Sequence, residues 1–288
     1  MDCHIIECDN IAFGNTVSFS IADPVSIDRI RTSEGEQVAM GDVALMWLRR
    51  IRTNQLGVEE LDKNQRSIIN SDCRGAMSGI VGTRFKGLWF SHPEASYRAS
   101  DKLYQLEIAS QQGMRVPRTL VSQSRRDVAD FLRRQGGKII VKAVVGVAEP
   151  FLRTILLTDI DGYDEDAFEA SPAIYQEFVP GTRHLRILTF GGRSIAAMIE
   201  TADVDWRPNL NVPITPYNVE AELQTKIDSI LDALGLTMGI VDIKIDDHGD
   251  FVWLEVNPQG QFAFLEPLSG VRPLQELAIF FEERALSV

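Results

Sequence analysis

The chain has 288 residues, of which 44% are hydrophobic and 24% charged, a composition typical of a packed globular protein. Its net charge of −12 argues against a nucleic-acid binder, because proteins hold phosphate backbones with surplus Lys and Arg. No apolar run approaches the ~20 residues that a membrane helix needs, and the three cysteines show neither a disulfide framework nor a metal-binding spacing. With no signal sequence at its start, we expect a cytoplasmic protein without a membrane or nucleic-acid partner.

Short apolar runs and turn residues alternate in the first forty residues, which predicts a few short strands there. Residues 42–51 (DVALMWLRRI) indicate a buried strand or the start of a helix, and residues 63–82 have mixed helical character. A clearer helix follows Ser100, which is its predicted N-cap, and ends at Gly113.

Helices and strands also alternate in the middle of the chain. A second helix is predicted before a Gly136-Gly137 stop, and the apolar runs that follow it indicate two strands. The dipeptide Gly191-Gly192 predicts the turn of a β-hairpin. A helix with one apolar stripe follows at residues 219–236, and we assign that stripe to core packing.

Residues 239–257 (GIVDIKIDDHGDFVWLEVN) predict a further β-hairpin with a two-residue turn at His248-Gly249. Side chains along a strand alternate between two faces. The face expected to be buried carries Val241, Ile243, Ile245, Val252, Leu254 and Val256. The other face carries Asp242, Lys244, Glu255 and Asn257.

The polar face of this hairpin predicts a metal site. In the expected register Asp242 lies opposite Glu255, and Ile240 lies opposite Asn257. Two carboxylates directly opposite each other repel, so the pair indicates a bound cation. Oxygen ligands from Asp242, Glu255 and Asn257 suit Mg²⁺. The alternative is a solvated strand face on which Lys244 pairs with either acid.

A Mg²⁺ site of this kind indicates a nucleotide, but the chain has neither a P-loop nor a G-x-G-x-x-G motif after a strand. Phosphate binding is then left to lysines near the ends of predicted elements, namely Lys102, Lys138 and Lys142. Each of these residues taken alone is more often a surface lysine.

The ordered motifs GMRVPRTL, IIVK, IYQEFV, HLRILTFGGRSIAAMI, GLTMGIVDIKID and FVWLEVNPQGQF resemble those of the ATP-grasp fold. Within that superfamily, MWLRR, DWR and LEVNPQGQFAFLE are most similar to the microviridin-type (graspetide) ligases, which crosslink ribosomally made peptides. The resemblance implies an α/β (α+β) protein whose nucleotide is held between two lobes. It divides the chain into a short N-terminal domain (1–98), a central ATP-grasp subdomain (99–180) and a C-terminal ATP-grasp subdomain (181–288).

The resemblance also implies roles for individual residues toward ATP. Lys102 and Lys142 would contact its phosphates, and Glu177 and Val179 would hold the adenine edge through backbone groups. The complete implied nucleotide-binding set is Lys102, Lys142, Gln176, Glu177, Phe178, Val179 and His184.

The implied metal and catalytic residues lie in the C-terminal subdomain. Asp242, Glu255 and Asn257 would bind Mg²⁺, in agreement with the hairpin argument. Arg186 and Arg207 would face the reacting centre, where guanidinium groups stabilise developing negative charge.

The implied activity is that of an ATP-dependent ligase. It would activate side-chain carboxylates of a ribosomal precursor peptide as acylphosphates and form intramolecular ester or amide crosslinks, with release of ADP and phosphate. ATP and Mg²⁺ are the expected cofactors, and the expected partners are a leader-bearing precursor peptide and a second copy of the chain. The alternative is a ligase that joins a free amino acid or small carboxylate to an amine.

Two departures from the family pattern suggest a third reading, a nucleotide-binding module without turnover. His184 stands where related ligases often have an acid, and residues 143–151 (AVVGVAEPF) contain one glycine where a glycine-rich phosphate lid is expected.

Overall fold

The chain divides by its contacts into two compact units. The computed structural model describes residues 2–25, 27–49, 54–146 and 152–286. The first unit comprises Met1–Phe90 with Leu277–Val288, and the second comprises Ser91–Glu276. Within the described ranges, no helix is both long and apolar enough to cross a membrane.

The first unit is built from two small sheets and one long helix. Its strands are β1 (Thr16–Phe19), β2 (Asp28–Arg31), β3 (Gln37–Val38), β4 (Leu45–Met46) and β5 (Leu88–Trp89), and its helix is α1 (Lys63–Arg84). Strands β1, β2 and β3 pair antiparallel in that order, whereas β4 and β5 pair in parallel. The Asp62 side chain caps α1 by accepting hydrogen bonds from the backbone amides of Asn64 and Gln65. Ile80 of that helix shares a buried core with Ile30 of β2. The short strands predicted in the first forty residues are confirmed.

The second unit holds the remaining strands and most of the helices. Its elements are α2 (Pro93–Ala99), α3 (Lys102–Gln111), β6 (Thr119–Ser122), α4 (Arg125–Arg134), β7 (Ile139–Ala143), β8 (Ile155–Leu157), α5 (Glu165–Glu169), β9 (Ala173–Glu177), β10 (Arg183–Phe190), β11 (Arg193–Glu200), β12 (Ile214–Tyr217), α6 (Ala221–Leu234), β13 (Met238–Ile245), β14 (Phe251–Asn257) and α7 (Leu265–Ser269). The last helix, α8 (Pro273–Ala285), begins in the second unit and ends in the first.

Two antiparallel sheets organise the second unit. Strands β6, β9, β7 and β8 form a four-stranded sheet in that order, and β12, β11, β10, β13 and β14 form a five-stranded sheet. Helix α4 buries Val128 and Phe131 with Ile139 of the first sheet. Helix α6 buries Ile227 with Ile243 of the second sheet, as its predicted apolar stripe requires. Each sheet therefore has its own core.

Two local predictions can be compared with the structure. Gly191 and Gly192 have positive φ angles of 52° and 78°, and they join Phe190 to Arg193 as a two-residue turn, so the predicted β-hairpin is confirmed. The predicted N-cap Ser100 is wrong, because it lies at the C-terminal end of α2. Asp101 caps α3 instead.

The acidic hairpin is formed by β13 and β14. Asp242 pairs with Glu255 and Ile240 pairs with Asn257, so this part of the predicted register is confirmed. A β-bulge then shifts the register, and Ile243 pairs with Trp253. The extra residue, Leu254, reverses the alternation of side chains toward the turn.

The bulge overturns part of the predicted buried face. Trp253 packs in the core beside Ile243, whereas Leu254 lines the cavity described below. Val252 lies on the face of Lys244 but is fully buried, as predicted. The two-residue turn is also wrong, because the ladder ends at the pair Ile245–Phe251. Residues 246–250 connect the strands. The Asp246 amide donates to the Asp250 carbonyl at 3.1 Å, and the Asp246 carboxylate accepts hydrogen bonds from the amides of His248 and Asp250.

Candidate active site

Both sheets of the second unit contribute residues to one cavity. Helix α3, strands β7 and β9 of the smaller sheet, strands β10, β13 and β14 of the larger sheet, and residues 204–207 between β11 and β12 line it. The predicted site residues among its lining are Lys102, Lys142, Gln176, His184, Arg207, Asp242 and Glu255. The fold thus brings together residues that are up to 153 positions apart in the sequence.

The acidic wall of the cavity is built on β13 and β14. The guanidinium of Arg186 donates from Nη1 to Asp242 Oδ2 at 2.6 Å and from Nη2 to the Gln261 carbonyl at 2.7 Å. On the other strand, Asn257 Nδ2 donates to Glu255 Oε1 at 3.0 Å. Arg186 and Asn257 therefore hold the two acids in place from within the protein.

The two acids differ in their ionisation. Burial raises the pKa of Asp242 to about 6, against the opposing effect of Arg186. Burial also disfavours the ionised form of Glu255, but Lys142 and Lys102 outweigh it and lower the pKa of that carboxyl. Glu255 is thus the more firmly ionised member of the pair.

These residues fit part of a magnesium site. Among the described residues, no three His, Cys, Asp or Glu side chains are grouped so as to hold a metal ion. Asp242, Glu255 and the amide of Asn257 are nevertheless hard oxygen ligands, which Mg²⁺ accepts when water and phosphate oxygens complete its shell. The assignment of Mg²⁺ to this set remains a prediction.

Two lysines form the cationic side. Lys102 Nζ donates to the Ala143 carbonyl at 3.2 Å, which ties helix α3 to the end of β7. Burial lowers the pKa of Lys142 to about 8, while Glu255 opposes that shift. Lys142 therefore stays mostly charged at neutral pH and lies close to its point of titration.

Two buried side chains present polar atoms without a partner. Gln176 Nε2 donates to Thr119 Oγ1 at 2.9 Å, which leaves Gln176 Oε1 with no hydrogen bond. His184 Nε2 is likewise unpaired, and burial with nearby Lys244 lowers the pKa of His184 to about 4. Unpaired buried polar atoms are costly, and both residues line the cavity, where a bound polar group would supply a partner. That Gln176 and His184 bind a nucleotide remains a prediction.

The hinge residues that follow Gln176 lie differently. The amide of Glu177 donates to the Arg118 carbonyl at 2.9 Å, and its carboxylate accepts from Arg118 N at 3.1 Å. The Phe178 ring has Lys138 Nζ 3.6 Å from its centroid, and Val179 is buried. That backbone groups of Glu177 and Val179 hold adenine remains a prediction.

A sharp turn follows strand β14 at the NPQG segment. The amide of Gly260 donates to the Asn257 carbonyl at 3.3 Å. A Cβ atom at Gly260 would lie 2.9 Å from Asn257 Cβ and 2.9 Å from Ile240 Cγ1. Only glycine fits there, so this residue lets the chain reverse directly beside the acidic wall.

Sequence reasoning missed two residues that position the site. Gln105 is buried and exchanges hydrogen bonds with the backbone of Val256, which ties α3 to the free edge of β14. Asp205 lines the cavity and pairs with Arg207. The signal for Asp205 was its place two residues before Arg207, a spacing that favours a local side-chain-to-backbone hydrogen bond.

Comparisons with known proteins agree with this geometry. The family described as the RimK-like ATP-grasp domain matches residues 99–278. A protein of Thioalkalivibrio sulfidiphilus named "Probable alpha-L-glutamate ligase" is 30% identical over 199 residues, which cover 65% of this chain and 65% of that protein. The chain thus spans less than two thirds of this curated relative.

Two solved structures resemble the chain over most of its length. The macrocyclase MdnC of Microcystis aeruginosa, bound with precursor peptide MdnA, has a TM-score of 0.80 at 22% identity and covers 95% of this chain and 88% of its own. The RiPP-associated ATP-grasp ligase of Chryseobacterium gregarium, in complex with ADP and a leader and core peptide, has a TM-score of 0.81 at 21% identity and covers 91% and 82%. At such identities these two structures establish the fold. The chain belongs to the RimK-like ATP-grasp family, and the predicted ATP-grasp fold is confirmed.

Proposed function

We propose that this protein is an ATP-dependent ligase that activates side-chain carboxylates of a ribosomally made precursor peptide and forms intramolecular ester or amide crosslinks. One observation carries the proposal. A single cavity sets the cations Lys102, Lys142 and Arg207 against the acids Asp242 and Glu255, with two unpaired buried polar atoms alongside. This combination suits a nucleotide with Mg²⁺ on one side and a carboxylate substrate on the other.

Each wall has its own task in this proposal. ATP supplies the phosphoryl group that activates the carboxylate as an acylphosphate. Lys102 and Lys142 bind its phosphates, since lysine is a serviceable point charge for phosphate. Gln176 and His184 bind the nucleoside through their unpaired atoms.

In this proposal the remaining residues bind the metal ion or stabilise the negative charge that develops during the reaction. Asp242, Glu255 and Asn257 hold Mg²⁺ through oxygen ligands. Arg207 stabilises the negative charge that develops when the nucleophile attacks. Arg186 acts through Asp242, because its side chain is 8% exposed and donates to that carboxylate.

A peptide substrate is supported by the two neighbours that were solved with bound peptides. These structures match 95% and 91% of this chain, including most of the first unit. We accordingly propose a precursor peptide with a leader and an acidic, hydroxyl-rich core as the partner, a homodimer as the assembly and the cytoplasm as the location.

A second candidate is a ligase that joins a free amino acid or small carboxylate to an amine. The 30% identity to the "Probable alpha-L-glutamate ligase" favours it, and the RimK-like ATP-grasp match over residues 99–278 includes the whole cavity region. The two candidates share the nucleotide and metal residues and differ in the carboxylate that is activated and in the nucleophile that attacks it.

The test is incubation of the protein with ATP, Mg²⁺ and each short peptide encoded beside its gene, followed by intact mass spectrometry. The proposal predicts the loss of one water per crosslink and the formation of one ADP. Formation of ADP with free amino acids, and unchanged mass of every neighbouring peptide, would instead establish the second candidate.

A further inference from the structure

The loop between β11 and β12 carries three consecutive residues with distinct surroundings. Trp206 packs on the larger sheet with Ile199 and Ile214, and its ring centroid lies 6.0 Å from that of Phe264. This apolar contact fixes the middle of the loop. Its neighbour Asp205 then lies at the cavity.

The carboxylate of Asp205 orients the Arg207 side chain. Arg207 Nε donates to Asp205 Oδ1 at 2.8 Å, and Arg207 Nη2 donates to Asp205 Oδ2 at 2.6 Å. The backbone amide of Arg207 adds a third bond to Oδ1 at 3.2 Å. A bidentate pair of this kind fixes the plane of the guanidinium as well as its position.

Asp205 also reaches the opposite sheet. Its Oδ2 accepts a hydrogen bond from the amide of Thr154 at 3.1 Å, and Thr154 directly precedes β8 of the four-stranded sheet. Thr154, Asp205 and Arg207 all line the cavity. One carboxylate, whose side chain is 7% exposed, therefore joins the loop that carries Arg207 to the far wall.

The electrostatics explain why such an anchor is needed. The acids Glu255 and Asp242 attract the Arg207 guanidinium from across the cavity. An arginine on a loop that was free to follow this attraction would pair with the acids proposed to hold Mg²⁺. The nearer carboxylate of Asp205 competes with them, because the Coulomb attraction falls with distance.

We propose that Asp205 is the positioning residue of this site. It holds Arg207 at the cavity wall against the attraction of the acidic pair, and through Thr154 it ties the position of Arg207 to the segment that precedes β8 of the four-stranded sheet. The role in turnover rests on the function proposed above, whereas the two hydrogen-bonding links do not.

The first test therefore needs no substrate. In the full-length protein, the Nε–H signal of Arg207 and the hydrogen exchange of the Thr154 amide are followed by NMR for wild type, Asp205→Asn, Asp205→Ala and the control Asp203→Asn. Asp203 lies on the same loop and is exposed. In the Asp205 variants we expect exchange at Arg207 Nε–H and at the Thr154 amide to be about tenfold faster than in wild type, because both groups lose hydrogen bonding to the Asp205 carboxylate. In the Asp203→Asn control we expect the wild-type rate at both positions. Wild-type exchange in both Asp205 variants would overturn the proposal.

The second test separates positioning from folding. Turnover of the peptide identified by mass spectrometry is measured for Asp205→Ala, Arg207→Ala and the double variant. If Asp205 acts through Arg207, Asp205→Ala lowers kcat by about 10–100-fold, and the double variant is no slower than Arg207→Ala alone. Asp205→Glu restores part of kcat. Additive losses would overturn the proposal, because they would assign Asp205 a separate role. If no peptide is turned over, the function proposed above fails while the exchange measurement still decides the positioning role.

Discussion

Two walls of the cavity are held in different ways. Asp242 and Glu255 stand on paired strands, so the backbone ladder of β13 and β14 sets their positions. Arg207 stands on a loop, where the side chain of Asp205 accepts three hydrogen bonds from it. The position of the strand wall therefore follows from the register, which many residues share, whereas that of the loop wall follows in large part from contacts of one carboxylate.

The largest effect is expected on the strand wall itself. Glu255→Gln removes one negative charge from the proposed Mg²⁺ site while it keeps the shape of the side chain. We expect a loss of kcat of about 10³-fold, because a metal ion contributes several kcal/mol of charge stabilisation. The measurement is the rate of ADP formation at saturating ATP and Mg²⁺.

The matched control is Glu266→Gln on α7, an acid that does not line the cavity. We expect it to leave the rate unchanged. A wild-type rate for Glu255→Gln would show that the acidic pair is a strand feature without a role in the reaction.

The β-bulge offers a sharper comparison between two neighbouring residues. Trp253 is fully buried in the core, whereas Leu254 lines the cavity. Trp253→Ala is expected to lower the free energy of unfolding by about 3–5 kcal/mol. Leu254→Ala is expected to weaken ADP binding by about tenfold, through lost apolar contact, with a small effect on unfolding.

Urea denaturation and calorimetric titration with ADP and Mg²⁺ measure the two quantities. The reverse result, with Leu254 controlling stability and Trp253 controlling binding, would mean that the hairpin has the unbulged register.

Lys142 connects the two walls through its titration. Because burial lowers its pKa to about 8, its charge is lost as the pH rises through that value. ADP binding should therefore weaken by up to about tenfold between roughly pH 7 and pH 9. Lys142→Arg is the control, since arginine keeps its charge throughout this range. The affinity of that variant for ADP should not change with pH. An equal pH dependence in both proteins would assign the titration to another group.

The smallest effect concerns His184. Its folded pKa of about 4 lies below the ordinary value of 6.5, so the unfolded chain binds its proton more readily. Its contribution to stability is complete above about pH 6.5 and is lost as the pH falls toward 4, by about 1–2 kcal/mol at pH 5. The difference in unfolding free energy between wild type and His184→Gln, measured against pH, isolates this slope. A difference that stays constant between pH 7 and pH 5 would contradict the lowered pKa of His184.

The two pairs of the strand wall, Asp242–Glu255 and Ile240–Asn257, were predicted from a two-residue turn that the protein does not have. They are correct because the longer loop and the β-bulge shift the register by one residue in opposite directions. The alternation of apolar and polar residues along β14 did not predict the bulge, because one extra residue leaves the alternation on either side of it intact. A warning was present, because the unbulged register would have placed the large apolar Trp253 on the polar face.

The loop wall was less accessible to prediction. DWR was singled out as a motif, but the bond from the Thr154 amide to Asp205 spans 51 residues. No local pattern encodes a contact of that separation. The N-cap of α3 was misplaced by one residue for a simpler reason, since Ser100 and Asp101 are both good caps.

The central proposal is that a substrate carboxylate is activated in this cavity by transfer of a phosphoryl group from ATP. The direct measurement uses a precursor peptide whose Asp and Glu carboxylates carry oxygen-18, incubated with unlabelled ATP and Mg²⁺. Activation as an acylphosphate predicts that each crosslink transfers one labelled oxygen from the peptide to the released inorganic phosphate. Crosslinked peptide accompanied by unlabelled phosphate would contradict the account.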